Sequence, residues 1–282
     1  DLSASVGQNQ VDFFIKNTVN ATLGPNTPTS FKPGSYIQRE KQFNFDVSYP
    51  LPLELFASPL NIAAGLERRE EEFQIKKGDL ASYAIGPLAS QGFGIGSNGF
   101  SGFSPDVAGT FNRWNDAIYL DLETDITKDF LFGLAGRWED FEDFGSTANG
   151  KVSMRYNIDQ NFAVRSTAST GFRAPTPGQS NVTNISTTFE NGKLANRGTI
   201  PPTNPIARLK GGEQLKPEKS QNISMGGILT VDKFRASLDY FSIKVRDRIT
   251  QSASQTLTPE EAAQLEADGI AGASGLQTFR FY

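Results

Sequence analysis

The sequence predicts an all-β fold: an antiparallel up-and-down transmembrane β-barrel with long loops at one end and one short loop helix. Apolar and polar residues alternate through successive runs, as on strands with one apolar and one polar face. These runs are close to the roughly 9–11 residues with which a tilted strand crosses a bilayer. Short and long connections also alternate along the chain, and membrane barrels keep their short turns on one side.

Three neighbouring runs between Phe130 and Arg173 show the alternation most clearly. Their apolar parity comprises Phe130, Phe132, Leu134, Trp138, Val152, Met154, Tyr156, Ile158, Phe162, Val164, Ala168 and Phe172. The opposite parity comprises Gly133, Arg137, Glu139, Lys151, Ser153, Arg155, Asn157, Arg165, Thr167, Ser169 and Arg173. Large aromatic residues near the ends of the runs are typical of the interfacial girdles of membrane barrels. We therefore predict three consecutive transmembrane strands in this region.

The same pattern predicts strands on both sides of this region. They cover residues 1–6, 11–23, 42–49, 60–75, 111–124, 219–230 and 233–248, and residues 277–282 begin another strand. Tight turns are predicted around Gly7, Pro52, Ile126, Asp159 and Asp232. The larger loops are predicted at residues 24–36, 77–110, 142–150, 174–217 and 250–276.

The last of these loops also carries helix signals. Thr258, Pro259 and Glu261 form a capping box with proline at the first helical position, and Gly269 is a stop signal. We predict one short surface helix over residues 259–268.

Composition excludes several classes of protein. The 282 residues are 37% hydrophobic, with a mean hydropathy of −0.38, and no run approaches the roughly 18 apolar residues of a membrane-spanning helix. A net charge of −4 without a basic cluster argues against nucleic-acid binding. The chain has neither cysteine nor histidine, so disulfides, thiolate metal sites and the commonest general base are missing. We expect no enzymatic activity, no cofactor and no metal site.

Three local motifs have simple interpretations. Residues 94–99 match G-x-G-x-x-G, but no helix follows in the pattern, so a flexible loop is predicted. Residues 145–151 nearly match a phosphate loop, yet Val152 replaces the magnesium-binding Ser or Thr, and we predict a hairpin turn. The charge run at residues 67–72 is predicted to be a solvated strand extension above the membrane.

Four segments, taken in order, resemble one family over most of the chain from about residue 11. They are DFEDFGST from Asp140, KVSMRY from Lys151, TGFRAP from Thr170 and LKPEKS from Leu215. Their order and spacing are similar to those of the barrel of TonB-dependent outer-membrane receptors, especially the branch of iron-complex receptors. The resemblance implies a barrel of about 22 strands with a plugged lumen. Residues 1–282 would be about eleven strands of that single barrel domain, with the plug and the C-terminal strands absent from this chain.

The resemblance also implies a function. We expect active uptake of a large, scarce nutrient, a ferric siderophore first of all, across the outer membrane of a Gram-negative bacterium. The expected partners are outer-membrane lipid, the ligand and the TonB–ExbB–ExbD system, which would act through the plug. Cobalamin, haem or oligosaccharide uptake uses the same scaffold, because fold does not determine the ligand. A passive porin-like or adhesin barrel, a barrel enzyme and a soluble all-β binding protein remain alternatives.

Two sets of residues are candidates for ligand contact. Side chains with the parity of the lumen are Arg137, Glu139, Arg165, Arg173, Arg235 and Asp239. They would line a ligand path or contact a plug, or they would pair across the wall and keep the interior hydrated. Aromatic residues in the predicted outer loops are Phe31, Tyr36, Phe93, Phe100, Phe103 and Phe189. They would grip a ligand or pack the loops into a lid.

Overall fold

The protein consists of a large antiparallel sheet and a small three-stranded sheet formed by its loops. The computed structural model describes residues 1–91, 93–190, 193–270, 273, 276 and 278–282, without the side chains of residues 90, 186–190 and 193–196. Among the described residues, no helix is long and apolar enough to cross a membrane.

Strands make up most of the chain, and its helices are short. The strands are β1 (Leu2–Lys16), β2 (Ser30–Leu51), β3 (Leu60–Lys77), β4 (Gly109–Thr127), β5 (Phe130–Phe141), β6 (Gly145–Asn157), β7 (Phe162–Arg173), β8 (Asn184–Glu190), β9 (Lys193–Thr199), β10 (Glu218–Val231), β11 (Phe234–Arg246) and β12 (Thr278–Arg280). The helices are α1 (Leu80–Tyr83), α2 (Pro177–Asn181), α3 (Pro205–Leu209) and α4 (Pro259–Ala267). Short 3₁₀ turns cover Ala21–Asn26 and Ala89–Gln91.

The large sheet has the up-and-down order β1-β2-β3-β4-β5-β6-β7-β10-β11, and its neighbours are all antiparallel. Within the described residues β1 and β11 are its edges, so the sheet is an open wall. This confirms the prediction of a partial antiparallel barrel. The wall contains nine strands rather than the expected eleven, because the strands predicted at residues 1–6 and 11–23 are one strand, β1, and the last predicted strand contributes β12 to the small sheet β12-β9-β8 instead.

The two faces of the wall differ as the alternation predicts. One face, which we call the apolar face, exposes Phe43, Phe45, Val47, Tyr49, Leu66, Ile118, Leu120, Leu134, Trp138, Val152, Met154, Tyr156, Val164, Ile223 and Met225. The other, which we call the polar face, carries the charged residues of the opposite parity. A contiguous exposed apolar surface of fifteen large side chains indicates a binding or membrane surface, and a wall of strands can present it to lipid.

The connections are sorted by end of the wall, as expected. Connections of eight, two, four and two residues join β2 to β3, β4 to β5, β6 to β7 and β10 to β11 at one end. At the other end the connections span residues 17–29, 78–108, 142–144 and 174–217. The tight turns predicted around Ile126, Asp159 and Asp232 are therefore confirmed, whereas the connection at Pro52 lies where predicted but is an eight-residue loop.

The predicted turn at Gly7 is wrong, because β1 continues through it. Gly7 pairs with Glu40 and Gln8 pairs with Arg39, so the backbone groups of this polar stretch are satisfied in the sheet. Its polarity reflects a strand that continues beyond the apolar part of the wall.

The first predicted loop is also displaced. The loop covers residues 17–29, and Phe31 and Tyr36 lie on β2 instead. The early start of β2 is possible because Ser30 pairs with Lys16, and a β-bulge after Phe13 absorbs the irregular register.

The hairpin predicted at residues 142–150 is shorter than expected. Its turn consists of residues 142–144, and β6 begins at Gly145, whose φ of 85° suits a glycine directly after a turn. Residues 145–151, which the near-match to a phosphate loop predicted to be a hairpin turn, are paired strand: Gly150 lies opposite Gly136. The glycines at both ends of this segment suggested a turn, but cross-strand pairing determines its conformation.

The long loops at residues 174–217 and 247–282 build a small layer of their own. Their apolar residues form a core of Ile200, Ile206, Ala207, Leu265, Ala273, Leu276, Phe279 and Phe281. Helix α4 confirms the predicted capping box, because Thr258 and Glu261 each bond the backbone of the other. The strand predicted at residues 277–282 does not join the wall. The described part of this segment contains β12 (Thr278–Arg280), which pairs in parallel with β9 because Phe279 and Phe281 are buried in the loop core.

Candidate ligand path on the polar face

The centre of the polar face is a connected ion-pair network. Arg137 on β5 donates to Glu67 on β3 at 3.0 Å and also to Glu139 two residues along its own strand. Asn115 on β4 donates to Glu139 at 3.3 Å and accepts from Arg69 at 3.0 Å. Glu139 is buried, with 6% of its surface exposed, so its charge depends on these partners.

A glycine on β3 allows a second polar contact across that strand. The Tyr119 hydroxyl on β4 donates to the Asp46 carboxylate on β2 at 2.6 Å, although β3 lies between these strands. Gly65 lies between the two side chains, and a Cβ there would be 2.5 Å from Asp46 Oδ1 and 2.7 Å from Tyr119 Cζ, with Tyr119 Cε1 closer still. The absence of a side chain is what allows the two neighbours to meet.

Arg113 on β4 is the most enclosed cation of this face among the described residues, with 5% exposure. Its guanidinium pairs with Glu71 on β3 and with Asp143 in the β5–β6 turn, and it donates to the Pro175 carbonyl at 2.6 Å. It also lies over the Phe141 ring at 5.4 Å. One side chain thus ties three separate segments together at the loop end of the wall.

Two of the predicted lumen residues form a bidentate pair. Arg165 on β7 donates to both carboxylate oxygens of Asp239 on β11, at 2.9 and 2.6 Å. Gly226 on β10 lies between them, and a Cβ there would be 2.8 Å from the Asp239 carboxyl carbon. As at Gly65, a glycine on the intervening strand therefore leaves room for the side chains of the two flanking strands to meet at Gly226.

Two further predicted lumen residues lie apart from the central network. Arg173 at the end of β7 pairs with Glu218 of β10 at 3.3 Å, and Glu218 also accepts from the backbone N–H of Ile249. Arg235 is exposed on β11, opposite Thr230. Whether any of the six predicted residues contacts a ligand remains a prediction.

The charge run at residues 67–72 divides between the two faces, so its interpretation as one solvated extension is wrong for half of it. Its odd members Glu67, Arg69 and Glu71 enter the polar-face contacts with Arg137, Asn115 and Arg113. The even members pair on the apolar face as Arg68–Asp116, Lys41–Glu70 and Arg39–Glu72. Side chains alternate along a strand, so a continuous run is shared between both surfaces.

Aromatic residues pack where the loops meet β1–β4. This cluster contains Phe13, Tyr36, Phe73, Phe100, Phe103 and Phe111. The rings of Tyr36 and Phe103 are stacked at 4.9 Å, and the Tyr36 hydroxyl donates to the Thr183 carbonyl. Among the other predicted loop aromatics, Phe31 is buried, Phe93 is exposed, and the side chain of Phe189 lies outside the described residues. Their proposed contact with a ligand stays a prediction.

The sequence reasoning missed several members of the network. Arg113, Asn115 and Tyr119 share the polar parity of their predicted strand, as do Glu67 and Glu71 on theirs. Strand parity is the sequence signal that marks these residues as facing the same side as Arg137 and Glu139. In the part of the chain that the structure describes, no group of three or more His, Asp or Glu side chains could hold a metal ion.

A wall of antiparallel strands with one exposed apolar face and one ion-paired face is typical of a membrane β-barrel protein. The sequence matches the family described as "TonB dependent receptor-like, beta-barrel" over residues 2–277. The chain belongs to this family. No protein of curated function matches the sequence significantly.

Solved structures share the fold at low sequence identity. The siderophore receptor PirA from Acinetobacter baumannii is 18% identical with a TM-score of 0.60, and the match covers 93% of this chain and 35% of the receptor. A mutant ferric enterobactin receptor, PfeA from Pseudomonas aeruginosa, is 15% identical with a TM-score of 0.58, covering 89% and 32%. The RagAB peptide transporter is 14% identical with a TM-score of 0.51, covering 86% and 28%.

The chain spans about a third of the length of these proteins. They are receptors and transporters rather than enzymes, which agrees with the prediction that this chain is not an enzyme. Their likeness to this chain concerns the fold.

Proposed function

We propose that the chain is part of a TonB-dependent receptor that takes up a large, scarce nutrient, a ferric siderophore first of all. The receptor would lie in the outer membrane of a Gram-negative bacterium. Further strands and a plug domain would complete the pore, in keeping with the two open edges of the wall and the length of the solved relatives. One observation carries the proposal: a strand wall of this family has an apolar face for lipid and an ion-paired face for a watery interior.

The charges of the polar face favour passage of a ligand along the wall over binding of the ligand to the wall. Arg113, Arg137, Arg165 and Arg173 each have a carboxylate partner. An anionic ligand would have to displace these partners to bind the wall. Breaking the buried Arg113–Glu71 pair costs about 3–5 kcal/mol, whereas the more exposed pairs of Arg165 and Arg173 cost less. Capture is therefore assigned to the loops, and the wall provides a hydrated path. Such transport is conformational and makes no covalent bond.

Uptake by the full-length receptor tests the proposal. It is expressed in a Gram-negative host that lacks its own siderophore receptors, in strains with and without TonB. Radioactive ferric siderophores are supplied alongside cobalamin, haem and an oligosaccharide. We expect saturable iron uptake that disappears without TonB or after a protonophore collapses the membrane potential. A second receptor of known substrate, assayed in both strains, controls for the condition of the cells.

The possible outcomes separate the alternatives. Saturable uptake of another nutrient that needs TonB would retain the receptor class and replace the ligand. Diffusion of small solutes at equal rates with and without TonB would contradict the proposal and favour a passive porin. A receptor that remains soluble without detergent would contradict the membrane location itself.

A further inference from the structure

The wall has a cleft at its loop end, because the ladder between β6 and β7 stops early. The two strands pair only as far as Lys151 opposite Ser169, although β6 begins at Gly145 and β7 ends at Arg173. Beyond that point, residues 145–150 pair with β5 alone and residues 170–173 pair with β10 alone.

The cleft leaves backbone hydrogen-bonding groups open. The Gly150 N–H points towards β7, where it donates to the Thr170 hydroxyl at 3.0 Å. The direction alternates along a strand, so Ser146 and Ala148 also point their N–H and C=O groups into the cleft. Among the described residues, these groups have no ladder partner and no other hydrogen bond.

The position of the cleft on the wall suits open polar groups. Across β5, Ala148 lies opposite Trp138 and Ser146 lies opposite Asp140, so the cleft begins where the apolar face gives way to charge. An open strand edge is not tolerated within hydrocarbon. The open groups therefore face water or the headgroups of lipid.

A cavity of about 560 Å³ occupies the cleft on the side of the apolar face. Its strand residues with the parity of that face are Ser146, Ala148, Thr170, Phe172, Lys219 and Gln221. The polar-face residues of the same segments, Arg173, Glu218 and Asn222, are not part of the lining. The volume is within the roughly 300–1,000 Å³ that is typical of sites for small ligands.

Cations without carboxylate partners lie beside this cavity. Lys219 lies directly opposite Arg246 on β11, and Lys244 lies opposite Gln221. All three cations are exposed, and in the part of the chain that the structure describes none of them has an ion-pair partner. The other cations at the loop-side margin of the apolar face each pair with a carboxylate, namely Arg39, Lys41 and Arg68. Like charges directly opposite one another are destabilising, so the first pair favours an anion between its members.

The cleft and its surroundings specify three parts of one ligand. The open N–H groups and the unpaired cations suit a phosphate. The open C=O groups, together with Gln221 and Asp247 of the lining, accept hydrogen bonds from hydroxyl groups. Towards the apolar side, Val152, Ala168 and Ile223 lie next to one another across three strands and suit acyl chains.

We infer that the cleft between β6 and β7 binds the phosphorylated sugar headgroup of a glycolipid, whose acyl chains lie on the apolar face. The inference rests on the proposed location in the outer membrane, and it assigns the glycolipid to the leaflet on the loop side. A peptide strand is a poorer occupant, because the open edge of β6 offers only two residues and strands usually have about five or six.

Native mass spectrometry of the full-length receptor in detergent tests the inference, with bisphosphorylated lipid A as the probe. Two lipids are titrated in parallel: lipid A without its phosphates, and phosphatidylglycerol, which has a phosphate but no sugar. We expect each to bind about tenfold more weakly or worse, because each lacks one set of the contacts. This comparison requires no mutation and therefore cannot fail through misfolding.

Variants locate the site. Lys219→Gln should weaken binding of lipid A by about three- to fivefold, and its combination with Arg246→Gln by about tenfold or more. Lys41→Gln is the matched control, since this exposed lysine lies at the same margin but pairs with Glu70 outside the cavity lining. It should leave lipid A binding unchanged. A mobility shift on heating verifies that each variant is folded.

Two results would each overturn the inference: equal binding of lipid A with and without its phosphates, or equal effects of Lys219→Gln and Lys41→Gln. Equal binding of phosphatidylglycerol would show that the cleft does not recognise a sugar and would overturn the assignment to a glycolipid. If no lipid A binds, the cleft holds only water and the inference is wrong. Loss of ferric siderophore uptake with intact lipid A binding would contradict only the transport proposal.

Discussion

Substitution of Gly65 by alanine tests whether glycines in the wall exist to let polar side chains meet across a strand. The new Cβ would lie 2.5 Å from Asp46 Oδ1 and 2.7 Å from Tyr119 Cζ, so the 2.6 Å hydrogen bond between the two side chains must break. A hydrogen bond to a charged group contributes about 1.5–3 kcal/mol. Alanine also lowers the conformational entropy of the unfolded chain relative to glycine, which stabilises the folded state by about 0.4–1 kcal/mol. We expect a net loss of about 1–2 kcal/mol.

Gly7→Ala is the matched control, because Gly7 also lies in a strand of the wall but a Cβ there meets nothing within 4 Å. It should be neutral or slightly stabilising. Urea unfolding of the full-length receptor in lipid vesicles, followed by tryptophan fluorescence, measures both variants. In a Tyr119→Ala background the Gly65→Ala penalty should largely vanish, since the ring that the new methyl group meets is gone. Equal effects of the two glycine substitutions, or an unchanged penalty in that background, would refute the reasoning.

Three further predictions concern single contacts. Arg113→Met should cost about 3–5 kcal/mol in the same unfolding assay, because it leaves Glu71 without its buried partner, whereas exposed Arg68→Met should cost under about 1 kcal/mol. The Lys210 ammonium holds the pKa of Glu261 below 4.5. The ion pair between Lys210, at the end of α3, and Glu261 on α4 should therefore persist above pH 4.5 and be lost as the pH falls through the lowered pKa. NMR titration should place the midpoint below 4.5, and Lys210→Ala should raise it. Thr258→Ala should cost α4 about 1 kcal/mol, seen as roughly fivefold faster amide exchange.

The sequence predicted the elements whose signal is local. The alternation of apolar and polar residues predicted the strands from Phe130 to Arg173, because one face of each strand is apolar and the other is polar. The capping box at Thr258 predicted the start of α4. The turn at Gly7 and the loop around Tyr36 were misplaced for one reason. A strand that extends beyond the lipid is no longer required to alternate, and its polar residues then resemble a loop.

Strand parity predicted which residues lie on the polar face, but the sequence did not predict which of them contact one another. Arg137 and Glu139 were identified from their face, yet their link to Glu67 depends on the register of three strands, which no local pattern encodes. The contact between Arg165 and Asp239 spans an intervening strand and requires a glycine at position 226. The small sheet was not predicted, because β8 and β9 come from a different loop than β12.

The register of the strands also defines where the lipid ends. On the apolar face Phe45, Leu66, Ile118 and Trp138 lie opposite one another across four strands. One step towards the loops, the same strands carry Phe43, Arg68, Asp116 and Asp140. A charge facing lipid costs most at the bilayer midplane and little near its surface, so we expect the edge of the hydrocarbon at the change from one row to the next. The even charges of residues 67–72 therefore pair outside the lipid, while the odd charges, on the polar face, remain free to organise the pore wall at the same height.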